Sequence, residues 1–157
     1  MVAVEPLDLA ALARIRYADV EQLITEWIRG AFAALNPHVV TELPDATEMD
    51  ALMTAGRLVV QVEAFGGADR NPAQDVANVD VDVYAPGDAD GNPDRGRAAD
   101  TAELLRVALL FVLPGFHNEV ATVSEVATMS RPTARPYDDN TKTRRFSAAY
   151  QVVVKSH

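Results

Sequence analysis

Apolar residues at Val20, Leu23, Ile24, Trp27, Ile28, Ala31 and Leu35 recur with the i, i+3, i+4, i+7 spacing of a helix that buries one face. Asp19 stands just ahead of them with Gln22 three residues on, a capping-box pattern in which a short acidic side chain takes up free N–H groups of the first turn. Pro37 stops the helix, so the pattern predicts one from Asp19 to about Leu35. Upstream, the Ala/Leu-rich stretch Leu7 to Ile15, with Pro6 and Asp8 at its start, predicts a short extra helix or a docking arm. Downstream, Val39 to Leu43 reads as a short strand and Asp45 to Met53 as one or two helical turns ended by Gly56.

The period then changes from 3.6 to 2. From Arg57 to Phe65, Leu58, Val60, Val62 and Ala64 alternate with Gln61 and Glu63, as a half-buried strand requires. Gly66-Gly67 is expected to end this strand, and polar Ala68 to Val76, with Asn71-Pro72, to form a loop. Asn78 to Tyr84 alternates again, Val79, Val81 and Val83 against Asp80, Asp82 and Tyr84, and reads as the hairpin partner. The turn-rich segment Pro86 to Pro93 separates it from a long helix, Asp94 to Leu113. Ala98, Ala102, Leu105, Leu109 and Val112 form one stripe of that helix, while Leu104, Val107, Leu110, Phe111 and Leu113 cover much of the rest of its C-terminal half. Such a helix wants burial nearly all round, one face on a sheet and the other against a neighbouring subunit. Pro114-Gly115 stops it. Val120 to Met129 is β-prone, Arg131 to Tyr137 is extended around Pro132 and Pro136, and Arg145 to Lys155 alternates Phe146, Ala148, Tyr150, Val152 and Val154. The order α-β-β-β-α-β-β predicts an α+β fold: an antiparallel or mixed sheet of four to five strands with two main helices packed on it.

A chain of 157 residues, 48% hydrophobic, can bury one core, which makes residues 1–157 a single domain with 1–18 as an arm and 19–156 as its body. The absence of cysteine excludes disulfides and thiolate metal sites and favours a cytosolic origin. Glu5 and Asp8, with no basic start before a long apolar run, argue against a signal peptide. The longest apolar run, Val107 to Leu113, is about a third of the ~20 residues that a membrane-spanning helix needs, and reads as a buried helix face. A net charge of −9 disfavours nucleic-acid binding, which draws its affinity from Lys and Arg. The charge is uneven. Residues 1–118 hold 8 basic against 19 acidic side chains, a net −11, and residues 119–157 hold 6 against 4, a net +2. In a monomer this is a solvated accident; in an oligomer it can steer head-to-tail contacts.

Chemical motifs are sparse. His38 follows a helix-breaking proline, His117 lies past Pro114-Gly115 and His157 is terminal, so none reads as a catalytic group or a zinc ligand. Asp88-Ala89-Asp90-Gly91-Asn92 opens like a calcium loop, but the twelfth position, where a glutamate is needed, is Ala99. Neither a phosphate-cradling glycine pattern nor a nucleophile elbow occurs. The sequence therefore assigns no catalytic residue, metal or cofactor, and the chain reads as a non-enzyme. Glu63, Asp80 and Asp82 are expected to share a sheet face. There they are the polar side of an amphipathic hairpin, a divalent-cation or acid–base site, or the lining of a pore that passes a polyanion. Arg131, Arg135, Lys142, Arg144 and Arg145 gather around Tyr137 and Asp138-Asp139. Singly they are ordinary surface residues; together, beside an acidic remainder, they read as an interface.

The initial helix, the acidic hairpin RLVVQVEAFGG and NVDVDVYAP, the central helix DRGRAADTAELLRVALLFVLPGF and the closing RPYDDNTKTRRFSAAYQVVVKS together resemble the tail terminator proteins of long, non-contractile-tailed bacteriophages, particularly those of actinobacterial hosts. The resemblance spans residues 19–156 and lies in element order and in the arginine-rich stretch before an aromatic, alternating last strand. It implies a virion structural protein, assembled in the host cytoplasm, that forms a six-membered homo-oligomeric ring at the head-proximal end of the tail. Such a ring sits on the tail tube protein, halts its polymerisation and offers a surface to the head–tail connector protein. DNA would pass through its lumen without specific binding, past Glu63, Asp80 and Asp82, and no membrane is involved. The competing readings are another head-to-tail connector or tail completion protein, a small ligand-binding α+β domain with a compact apolar pocket, and an enzyme built on the three carboxylates.

Overall fold

The computed structural model describes residues 2–12, 19–71, 74–87, 95–137 and 143–156. The loop with the calcium-like motif, Lys142, Asp138-Asp139 and His157 lie outside the described residues. The chain runs through α1 (Leu9–Leu12), α2 (Val20–Ala31), a 3-10 turn (Ala33–Leu35), β1 (His38–Val40), α3 (Ala46–Thr54), β2 (Val59–Asn71), β3 (Gln74–Ala85), α4 (Arg95–Phe111), β4 (Ala121–Arg135) and β5 (Arg144–Ser156). The fold is α+β, with a mixed five-stranded sheet in the order β1-β2-β3-β5-β4. β1 pairs with β2 in parallel, and the other pairings are antiparallel. No helix among the described residues is long and apolar enough to cross a membrane.

The two faces of the sheet are covered differently. Alternation along β2, β3 and β5 turns Val60 and Val62, Val79, Val81 and Val83, and Phe146, Ala148 and Tyr150 to one side, where α2 and α4 complete the main core. α2 contributes Leu23, Ile24, Trp27 and Ile28, and its first turn is held by Asp19, whose carboxylate accepts the Gln22 N–H at 3.0 Å. The reciprocal half of the capping box is replaced by a bond from the Gln22 side chain to Glu26, one turn on. On the opposite side, α3 starts at Asp45, which accepts the Glu48 N–H at 2.8 Å, and lays Met49, Leu52 and Met53 over Val59 and Tyr84.

Several expected boundaries shift. Gly66-Gly67 does not end β2, and of the loop expected from Ala68 to Val76 residues 68–71 and 74–76 are strand, β2 and β3 continuing as a ladder out to Asn71 and Gln74, while Pro72 and Ala73 lie outside the described residues. The glycines mark a bulge between Ala64 and Gly66, and their φ values of 135° and 149° suit residues without a side chain. A Cβ on Gly67 would collide with the backbone carbonyl of Val76, so the glycine permits strand approach rather than strand termination. The first long helix ends at Ala31, and Ala31 and Leu35 are exposed rather than part of its buried face. The strand expected at Val39 to Leu43 is the shorter His38–Val40. The helix expected to reach Leu113 ends at Phe111; its buried stripe is Ala98, Ala102, Leu105 and Leu109, and just past its end Leu113 is buried and Val112 exposed. The run from Val107 to Leu113 is thus split between core and surface, because its helical part, Val107 to Phe111, already makes more than one full turn round the axis.

Candidate functional site

The register of the hairpin brings the three predicted carboxylates to one face. Glu63 lies opposite Asp80, Gln61 opposite Asp82, and β5 continues the rows with Ala149 beside Asp80 and Ser147 beside Asp82. One row further, Tyr84 is flanked by Arg145, which is itself opposite Arg135 of β4. This is the face that α3 leaves partly open.

The carboxylates are not equivalent. Asp82 is buried, and its Oδ2 accepts from Arg145 Nη2 at 2.7 Å and from Arg145 Nε at 3.2 Å. The guanidinium also lies 5.7 Å from the centre of the Tyr84 ring, a second favourable contact for a planar cation. Burial opposes the Arg145 charge, but the Asp82 hydrogen bond and the neighbouring Tyr84 and Asp80 outweigh it and hold its pKa above the usual value. Asp80 has no such partner in its own row. Burial, then Asp82 and Glu63 nearby, raise its pKa above that of an ordinary carboxyl. Tyr84 is pushed up to about 12, chiefly by burial; its hydroxyl donates to Gln61 Oε1 at 3.3 Å and its ring meets Tyr137 edge-on, with centroids 5.2 Å apart. Two of the residues read as an interface, Tyr137 and Arg145, therefore also belong to an internal network, whereas Arg131, Arg135 and Arg144 are exposed.

Among the described residues no three His, Asp or Glu side chains are grouped so as to hold a metal ion. His38 begins β1, and His117 forms an isolated bridge to Thr122. A cleft of about 340 Å³ beside β1 contains Arg29 and Arg57, but these donate to the carbonyls of Val39 (2.7 Å) and Asn36 (3.0 Å). A second, about 300 Å³, is lined by Asp19, Glu26 and Glu119. The apolar gap among Ile28, Phe32, Leu58 and Leu105 has no room for a water molecule. None of these is the compact apolar pocket with converging polar groups that a small-ligand domain uses.

The feature that sequence reading only half resolved is on α4. Leu104, Val107 and Phe111 are exposed, Phe111 by 78%, as is Val112 just past the helix end. At about 100° per residue, Leu104, Val107 and Phe111 fall within roughly 60° of one another, on the side away from the stripe that meets the sheet. The residues of this ridge were visible as apolar; which of them the core would take was not.

No protein-family model matches the chain, and a search of curated proteins gives no match either.

Proposed function

We propose that this protein is a structural subunit that assembles into a ring at the end of a bacteriophage tail tube, as a tail terminator, where it stops tube growth and presents a surface for head–tail joining. The observation that carries the reading is the bare apolar ridge of α4, a helix whose other side is fully used by its own core. A patch of this kind on a small chain signals a protein partner, and a ring supplies one from the same chain. The acidic face supports the lumen assignment. Glu63 is exposed and Asp80 half-buried, and both repel a passing phosphate backbone, while Asp82 anchors that face through Arg145. The exposed Arg131, Arg135 and Arg144 offer the opposite charge for contact with a neighbour or with the tube.

The test is negative-stain electron microscopy of the concentrated protein, alone and mixed with tail tubes of the same phage type. Rings or capped tube ends are the expected result. Monomers that cap tubes would mean that the tube templates the ring. Monomers beside bare tubes would overturn the terminator reading in favour of another joining protein or a ligand-binding domain.

A further inference from the structure

Two apolar features have no cover among the described residues of one copy. One is the α4 ridge. The other is the segment ahead of α2, where Val2, Val4, Leu7, Leu9 and Leu12 are 46–90% exposed and α1 buries none of its residues. We propose that they cover each other between copies: the N-terminal arm of one subunit, residues 2–12, lies across the α4 ridge of a second copy.

Four considerations fit the arm of a second copy as the occupant. Both surfaces belong to the same chain, so one arm is available for every ridge. Their sizes correspond: Leu104 to Phe111 spans about 10 Å of helix, and Leu7, Leu9 and Leu12 supply three large side chains over a short stretch of chain. Full coverage of the exposed side chains of arm and ridge would remove on the order of 1,000 Å² from water, the lower bound for a stable specific contact. Glu103, beside the ridge, is already paired with Arg106 at 2.7 Å, which lowers the cost of covering it. The contact joins two different patches and is therefore heterologous, the kind that repeats from subunit to subunit and closes into a ring when the rotation allows. The inference deepens the ring reading and rests on it for that closure. The competing arrangement is a fold-back onto the subunit's own ridge, since the chain enters α2 at Asp19 beside Asn118 and Val120, just past the end of α4.

The cysteine-free chain allows a direct test by disulfide trapping. Leu9→Cys and Phe111→Cys proteins are mixed at the concentration used for microscopy and oxidised, beside each variant alone and the double variant. Disulfide-linked dimers in the mixture, at least tenfold above either variant alone, are the expected result. Linkage only within single chains of the double variant would overturn the exchange, and so would rings in the microscope without any linkage, which would leave the ring reading intact. Linked dimers without rings would uphold the exchange and defeat the ring.

Discussion

The two sides of α4 are built from the same kinds of residue and meet opposite fates. Leu105 and Leu109 are fully buried against the sheet, whereas Leu104 and Phe111, one position before and two after, are exposed. Hydrophobicity alone therefore does not assign a residue to the core. The sheet takes the arc of the helix that faces it, and what lies beyond that arc contributes nothing to the folded monomer while remaining free to drive association. The contrast separates stability from assembly, and substitutions on each side, together with the polar sheet face, put it to the test.

The largest effect belongs to the buried side. Leu105→Ala should cost about 2–5 kcal/mol of folding stability, read from the urea midpoint, because it leaves a cavity between helix and sheet. A loss below about 0.5 kcal/mol would mean that the core does not close on α4. On the sheet face, Asp82→Ala should cost about 1–3 kcal/mol, since it strands a partly buried guanidinium. A double-mutant cycle with Arg145→Ala should show the two losses to be non-additive, and additivity would refute the pairing. Reversing Arg145 accordingly damages the monomer as well as any interface, so Arg144→Glu is the cleaner probe of assembly. On the outer side of α4, Phe111→Ser should change monomer stability by no more than about 0.5 kcal/mol while abolishing rings. If it unfolds the monomer, the ridge is part of the core.

The smallest effect is electrostatic. Asp80 has its folded-state pKa raised, chiefly by burial and then by Asp82 and Glu63, so its ionised form is disfavoured in the folded chain. Its contribution is fully favourable below the unfolded-state value and is lost as pH rises through the folded-state one. Asp80→Asn should therefore raise the melting temperature slightly at pH 7, with the gain shrinking as pH falls toward 3.8. A gain that is undiminished at pH 3 would point to packing rather than charge.

Where the pattern was periodic and half-buried, the sequence was readable. Val60 and Val62, Val79, Val81 and Val83, and Phe146, Ala148, Tyr150, Val152 and Val154 sit on the predicted face, and Asp19 caps the helix it precedes. The extension of the hairpin was not readable. Phe65 to Asp69 are exposed, so no apolar alternation announces a strand there. Their ladder instead depends on β3, whose Gln74 to Asn78 are held in turn by Gln151 to Lys155 of β5, more than 70 residues away. The carboxylate triad was legible as a shared face, but not the division that makes Asp82 a buried ion-pair partner and Asp80 an unpaired charge in its row. Arg145 lies 63 residues from Asp82, and nothing local to either predicts the contact. Tyr84 in the polar phase of its strand, with Met49, Leu52 and Met53 at helical spacing nearby, is the signal that this part of the face is covered.

Spacing within a few residues is enough for the α+β class, the order of the main elements, the inward faces of the central strands and the Asp19 helix cap. Tertiary structure decided the parallel entry of β1, the side on which α3 lies, the glycine bulge, the Asp82–Arg145 pair and which half of α4 stays bare. Those depend on how strands far apart in the chain pair and on how wide an arc of helix a twisted sheet can cover, quantities that no local pattern of residues contains.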